Sequence, residues 1–240
     1  MNLLQLRQKF RELSGRFDLV NDDGSDNGAN FFIYEGAKYL DRLNETQKSW
    51  ASAFRFINLG FYSASIPYCR AIKEVWAATT IERWQLEKKD LQDLINEYLL
   101  DAPSSRDLGI PLYYSPTITR YVPENATAES FESFIGMVEV PSGNAHIYNT
   151  ILLNVPVSEK IVVEVKGLFY SAELTNDTDQ NYWSVMHPLL LIMAAMMQTE
   201  IVNRNTQGVN DWRSAITEQM TQLGFDLVEE LIAEVTQIED

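Results

Sequence analysis

Residues 147–170 read IYNTILLNVPVSEKIVVEVKGLFY, and their period decides what kind of chain this is. Val162, Glu164 and Lys166 alternate with Ile161, Val163 and Val165, which sends successive side chains to opposite faces of a strand. Ile147 to Val155 has similar β-forming content, and Pro156 to Glu159 has the composition of a short turn. The spacing predicts a β-hairpin, 147–155 against 160–170. Period two recurs upstream, where Phe54 and Phe56 alternate with Arg55 and Ile57, and where Ile72, Glu74 and Trp76 alternate with Lys73 and Val75. Residues 112–121 contain Pro116, which cannot donate to a ladder, so this run is expected to be at best an edge strand.

Working outward, the period changes to that of a helix on both sides. Leu3, Leu6, Phe10, Leu13 and Phe17 are spaced to form one helical stripe. Asn21 to Asn30 is nearly all Asp, Asn, Gly and Ser, a loop composition that offers Asp26 or Asn27 as a cap for the next helix. That helix, 29–43, carries Phe32, Tyr39, Leu40 and Leu43 on one side, with Gly36 where another backbone can approach closely. Leu91, Leu94, Ile95, Tyr98 and Leu99 mark a helix within 90–100. Beyond an acidic turn at 175–181, three helices are expected at 189–203, 209–223 and 225–238, punctuated by Gly208 and Gly224.

The expected fold class is therefore α+β: a helical bundle formed by N- and C-terminal helices (1–44 and 183–224) with a central antiparallel β-rich segment (45–182). A C-terminal helix, 225–240, completes a single domain of 240 residues. At 45% hydrophobic and 22% charged residues, the chain has enough apolar material for a real core and is not disordered. Its longest nearly uncharged apolar run, Leu189 to Met197, is about half of what a bilayer requires. Charged residues precede any long apolar run at the N-terminus, so a soluble protein made in the cytosol is expected.

Nineteen Lys and Arg against 34 Asp and Glu leave a net charge of −15, which repels a phosphate backbone and argues against sequence-reading of nucleic acid. The acids are concentrated at the end, since no Lys or Arg follows Arg213 and the last 27 residues hold seven acids. Such a tail suits a basic receiver. One cysteine, Cys69, and two histidines, His146 and His187, are too few for a structural zinc site. The phosphate-binding, dinucleotide-binding, nucleophile-elbow and zinc-protease motifs are all missing.

Weaker signals favour structural roles. Asp177, Asp179 and Asn181 imitate the first ligands of a calcium loop, but Tyr182 stands where the sharp turn needs Gly and Pro188 where the bidentate Glu belongs. Asp23, Ser25, Asn27 and Gly28 form a fainter echo, with Tyr34 at its twelfth position. His187 precedes Pro188, a dipeptide that most simply opens a helix, and His146 sits in a turn composition. Cys69 has only Arg70 as a cationic neighbour in sequence and reads as a small packed residue. Met193, Met196 and Met197 read as adaptable core or a subunit contact.

The order of these features resembles the head-to-tail adaptor, or connector, proteins of tailed bacteriophages. The resemblance runs through LLQLRQKFRELSGRFDLV (3–20) and DNGANFFIYEGAKYLDR (26–42), which look like the family's first two helices. It continues in LTNDTDQNYW (174–183), HPLLL (187–191), Glu200, RNTQ (204–207), Trp212 and Asp226, similar to the family's closing helices. No single motif is specific; their order is. Residues 100–143 are Pro-rich and depart from the family pattern.

The resemblance implies a structural virion protein, not an enzyme, without cofactor or metal. It implies a homo-oligomeric ring, usually of twelve subunits, between the portal of the filled capsid and the tail or its nozzle. DNA would pass through the ring without sequence recognition. It also places the portal contact in the C-terminal extension, here Phe225, Leu227, Val228, Leu231, Ile232, Val235 and Ile238. Two alternatives compete with it. One is a small-molecule hydrolase with an acidic cleft using Asp177, Asp179 and His187. The other is a monomeric interaction module with an acidic C-terminal helix.

Overall fold

The computed structural model describes residues 1–43, 50–101, 106–117 and 149–236, with 224–236 as backbone only. The chain is α+β and divides into two compact units, one formed by 1–49 with 170–240 and the other by 50–169.

The first unit is built around an apolar helix. Helix α1 (Leu3–Ser14) begins with a capping box, in which Asn2 accepts from the Gln5 amide at 2.9 Å and Gln5 accepts from the Asn2 amide at 3.1 Å. It stops at Gly15, whose φ of 66° lets its amide reach the Arg11 carbonyl. That stop corrects the expected five-residue stripe. Leu3, Leu6 and Phe10 are buried, whereas Leu13 on the last turn and Phe17 beyond it are exposed. The Phe17 ring instead lies under the Arg11 guanidinium at 5.0 Å.

Helix α2 (Ala29–Leu43) has the expected limits, and Asp26 accepts from the Asn30 amide at 2.9 Å near its start. Phe32 and Leu40 are buried; Leu43 is exposed.

The β-rich unit follows with strands β1 (Trp50–Ile57), β2 (Ser63–Ile66), β3 (Cys69–Ala78) and β4 (Arg83–Lys88). Helix α3 (Leu91–Tyr98) comes next, capped by Asp90, and then β5 (Tyr113–Thr117), β6 (Asn149–Leu153) and β7 (Ile161–Phe169). The strands form one seven-stranded, nearly closed, barrel-like sheet in the order β1-β7-β3-β4-β5-β6-β2. Its interior holds Ile57, Val75, Leu86, Tyr114, Ile151, Leu153, Val163 and Val165. At the seam the Arg55 guanidinium donates to the Ser65 carbonyl at 3.0 Å, linking β1 to β2 by a side chain.

Three sequence-based expectations change here. The predicted hairpin does not form, because β6 pairs with β2 and β5 while β7 pairs with β1 and β3. The connecting residues are bound elsewhere: Asn154 Oδ1 accepts from the amides of Leu112 and Tyr113, and Val157 exchanges backbone bonds with Gly60 and Phe61. The sheet is also not purely antiparallel, since β4 and β5 run parallel. Finally, β5 is not an edge strand. At Tyr114 it is paired on both sides, with β4 and with β6, and Pro116 lies past the last residue paired with β4, where its missing donor costs nothing on that side.

The chain then returns to the first unit with α4 (Tyr182–Met186), α5 (Pro188–Val202) and α6 (Thr206–Thr236). Helix α5 is apolar on all sides because it is surrounded: Leu190, Leu191, Ile192, Ala194, Ala195 and Met197 are buried among α1, α2 and α6. A Cβ at Gly36 would lie 2.7 Å from the Ala195 backbone nitrogen, so α2 and α5 meet backbone to backbone, as the glycine's position in the helical stripe predicts. Val209, Trp212, Ile216, Met220 and Leu223 form the stripe that α6 lays on this core.

The sequence predicts two helices at 209–223 and 225–238, whereas one continuous helix of 31 residues runs from 206 to 236. Gly208 sits in its first turn and Gly224 in its interior. A lone Gly costs a helix only about 1 kcal/mol, and no proline follows to enforce a stop.

Candidate functional site

The residues with catalytic potential are separately engaged. Asp177 forms a short ion pair with Arg7, whose guanidinium is almost fully buried. The Asp179 carboxylate accepts from the amides of Asn176 (2.8 Å) and Thr175 (3.0 Å) and from the Thr175 hydroxyl (3.0 Å). The Asn176 and Thr175 amides hold its carboxyl below the usual carboxylate range. Asn181 caps α4 in a capping box with Ser184. The acidic turn thus closes on itself and on α1, whose Leu3 and Leu4 amides donate to the Asp179 and Asp177 carbonyls.

His187 separates α4 from α5, with Pro188 at the first helical position, and its Nε2 lies 3.4 Å from the Tyr182 hydroxyl. His146 lies outside the described residues. Asp23 is occupied by the Ser25 amide and hydroxyl. Cys69 is buried in the barrel, and burial pushes its thiol pKa up, away from the thiolate a nucleophile needs. Met197 is buried, with Met193 and Met196 packed beside it against the core. Among the described residues, no group of three or more His, Cys, Asp or Glu side chains could hold a metal ion.

One buried carboxylate has no signature in the sequence. Asp41, at the end of α2, accepts from the Ser171 amide (2.7 Å), the Ser171 hydroxyl (2.8 Å) and the indole nitrogen of buried Trp183 (2.7 Å). Three donors compensate the cost of burying it. It fastens the chain's return at Ser171 to α2 and α4. No local pattern announces such a site, because its partners lie about 130 and 140 residues away in sequence.

A hollow of about 610 Å³ is an open polar depression lined by Lys88, Lys89, Asp90, Asp93, Asn96 and Glu97. Lys89 is already engaged there, 2.6 Å from Glu97 and over the rings of Tyr98 and Tyr113. Asp90 is engaged as the cap of α3, and the hollow lacks the apolar walls of a small-molecule site.

Exposed apolar surface is more informative. Strand β1 turns Trp50, Phe54 and Phe56 outward; Phe54 is 64% and Phe56 66% exposed. Their strand neighbours add charge. Lys160 Nζ lies 4.3 Å from the Phe56 ring centroid, and Arg83 lies 4.7 Å from that of Trp76 while pairing with Glu164. Lys166 Nζ is 3.9 Å from Glu74. In the helical unit, Tyr182, Val185 and Met186 share one face of α4 and, with Leu189 at the start of α5, are all at least half exposed.

The third surface is α6. Leu223 is the last described side chain that α6 packs on its core, and the helical backbone continues to Thr236 through Asp226, Glu229, Glu230 and Glu234. The residues expected to meet the portal fall on this stretch. The side chains of Phe225, Leu227, Val228, Leu231, Ile232 and Val235, and all of Ile238, lie outside the described residues. No described helix is long and apolar enough to cross a membrane. The sequence matches no family model, and no curated protein is significantly similar to it.

Proposed function

We propose that this chain is a structural subunit of a tailed-bacteriophage virion, forming a ring of about twelve copies between portal and tail. Its role is to conduct DNA and to dock neighbouring components; it performs no catalysis. The helices of the two termini act as the ring-forming bundle, and the acidic end of α6 engages the portal through Phe225, Leu227, Val228, Leu231, Ile232, Val235 and Ile238.

The observation that carries this reading is the 31-residue α6. At about 1.5 Å per residue it is roughly 46 Å long. Its first half supplies core residues to its own unit, and its second half has a sequence with apolar residues at helical spacing and no basic residue. A helix anchored at one end and acidic at the other suits a grip on a second, basic body. The satisfied state of Asp177, Asp179 and His187 favours a structural role over the hydrolase alternative. A channel lined by a protein of net charge −15 would let DNA slide without gripping it.

Negative-stain imaging of the purified chain with capsid portals tests the proposal. Rings stacked coaxially on portals are expected. A protein that stays monomeric and leaves portals bare refutes it.

A further inference from the structure

The loop between α1 and α2 holds the one Asn-Gly pair of the sequence, Asn27-Gly28, and its one Asp-Gly pair, Asp23-Gly24. In either pair the glycine nitrogen can attack the carbonyl carbon of the preceding side chain and close a succinimide ring, because glycine has no Cβ to obstruct the approach. The surroundings separate the two. At Asp23-Gly24 both reactants are occupied: the Gly24 amide donates to the Asn21 carbonyl at 3.0 Å, and the Asp23 carboxylate accepts from the Ser25 hydroxyl at 2.6 Å and the Ser25 amide at 2.9 Å. The hydroxyl, and after it the amide, hold this carboxyl below its usual pKa, so it stays an anion and a poor target for a nitrogen nucleophile.

At Asn27-Gly28 both reactants are open. Asn27 is exposed, and neither its Oδ1 nor the Gly28 amide takes part in a hydrogen bond among the described residues. A Cβ at Gly28 would meet only the Leu19 side chain, at 3.5 Å. What Asn27 does hold is the link between the helices. Its Nδ2 donates to the Asp18 carbonyl at 2.6 Å, and its own amide and that of Ala29 both donate to the Leu19 carbonyl, at 3.0 and 3.3 Å.

We propose that Asn27 converts spontaneously to aspartate and isoaspartate in the folded protein while Asp23 is spared, and that the conversion loosens the link between α1 and α2. The Gly28 nitrogen, having lost its proton to hydroxide, forms a bond to Asn27 Cγ as the Cγ–Nδ2 bond breaks, and Nδ2 leaves as ammonia with a proton from water. A second water then adds across one of the two imide C–N bonds. Opening at Cγ gives aspartate; opening at the main-chain carbonyl of residue 27 gives isoaspartate, with an extra methylene in the backbone. Either product lacks the donor to the Asp18 carbonyl and adds a carboxylate to a loop that already carries Asp22, Asp23 and Asp26. Isoaspartate also lengthens the chain between the two amides that share the Leu19 carbonyl. The reaction needs no second copy and no portal, so it stands apart from the ring reading.

The test holds the purified full chain at mildly alkaline pH, in buffer and in urea, and digests samples with trypsin at intervals. Cleavage after Arg16 and Lys38 leaves both pairs on one peptide, 17–38, and fragmentation that distinguishes aspartate from isoaspartate reads each position. In urea both pairs are expected to react. In the native chain Asn27 is expected to convert within about tenfold of its rate in urea, faster as hydroxide increases, with Asp23 unchanged. N27Q, which would have to close a larger ring, should abolish the change at this position. N27D, which makes one product directly, should keep the native circular dichroism and melt at a lower temperature than wild type.

An Asn27 that stays intact in the native chain while the urea sample converts overturns the proposal, as does isomerisation of native Asp23 that keeps pace with it. N27D melting together with wild type overturns the loosening. Should N27D fail to fold, the peptide measurement on the wild-type chain still decides the site.

Discussion

Replacing Gly36 with alanine sets two effects against each other, and the structure says which prevails. In an isolated helix the change gains about 1 kcal/mol, because glycine loses more backbone freedom than alanine. Here the added Cβ would lie 2.7 Å from the Ala195 nitrogen and 3.1 Å from both the Ala194 carbonyl carbon and the Ala195 Cα. All three are backbone atoms, so no side-chain rotation relieves the overlap; α2 and α5 must separate. Overpacking of this kind costs about 1–3 kcal/mol or more, and the seam that opens is lined by buried Ile33, Ala37, Leu191 and Ala194. We expect G36A to lower the unfolding free energy by about 1–2 kcal/mol, read as a lower urea midpoint at unchanged slope. Removing the opposing side chain with A195G should not rescue it, since the obstruction is main chain, and the two changes should add. A neutral or stabilising G36A, or recovery in the G36A/A195G double variant, would refute the close approach of the two helices.

Three further predictions address the buried and charged groups. D41A leaves the Ser171 amide, the Ser171 hydroxyl and the Trp183 indole without their carboxylate, and should cost on the order of 3–5 kcal/mol in chemical denaturation; a loss below about 1 kcal/mol would show the network to be dispensable. Asp179 has a depressed pKa when folded, so its contribution is present above the ordinary carboxylate pKa and is lost as pH falls through the folded value. D179N should therefore flatten the acid limb of stability below about pH 4, and an unchanged acid limb would contradict the assignment. Because burial raises its thiol pKa, Cys69 should resist thiol reagents at neutral pH until the barrel unfolds, and rapid modification of the native protein would place it at the surface.

Local chemistry is legible in this sequence and pairing is not. The limits of α2, the His187-Pro188 helix start and the close approach at Gly36 all follow from residues near one another in the chain. The short strands β2 and β4 and the one-turn helix α4 leave no such trace, since SASI, RWQLEK and YWSVM are too brief to display a period. The failed hairpin has a different cause. Alternation in 161–169 correctly signals a strand, but a turn composition at 156–159 does not say which strand lies alongside. The outward aromatics show the same gap: alternation at Phe54 and Phe56 reveals two faces, and only the barrel shows that Ile57 points in while both phenyl rings point out. Gly224 misleads for a third reason, because glycine stops a helix only where the chain turns left-handed, as it does at Gly15.

The clamp at Asp41 carries a consequence for how this protein could be taken apart. Within the helical unit, Asp41 near the end of α2 is hydrogen-bonded to Ser171, which follows the 120-residue β-rich unit in sequence. One carboxylate therefore joins two segments of the helical unit that the whole β-rich unit separates in sequence. Since Asp41 and Ser171 touch, a short Gly-Ser link in place of the β-rich unit is expected to leave a helical remnant with its own apolar interior.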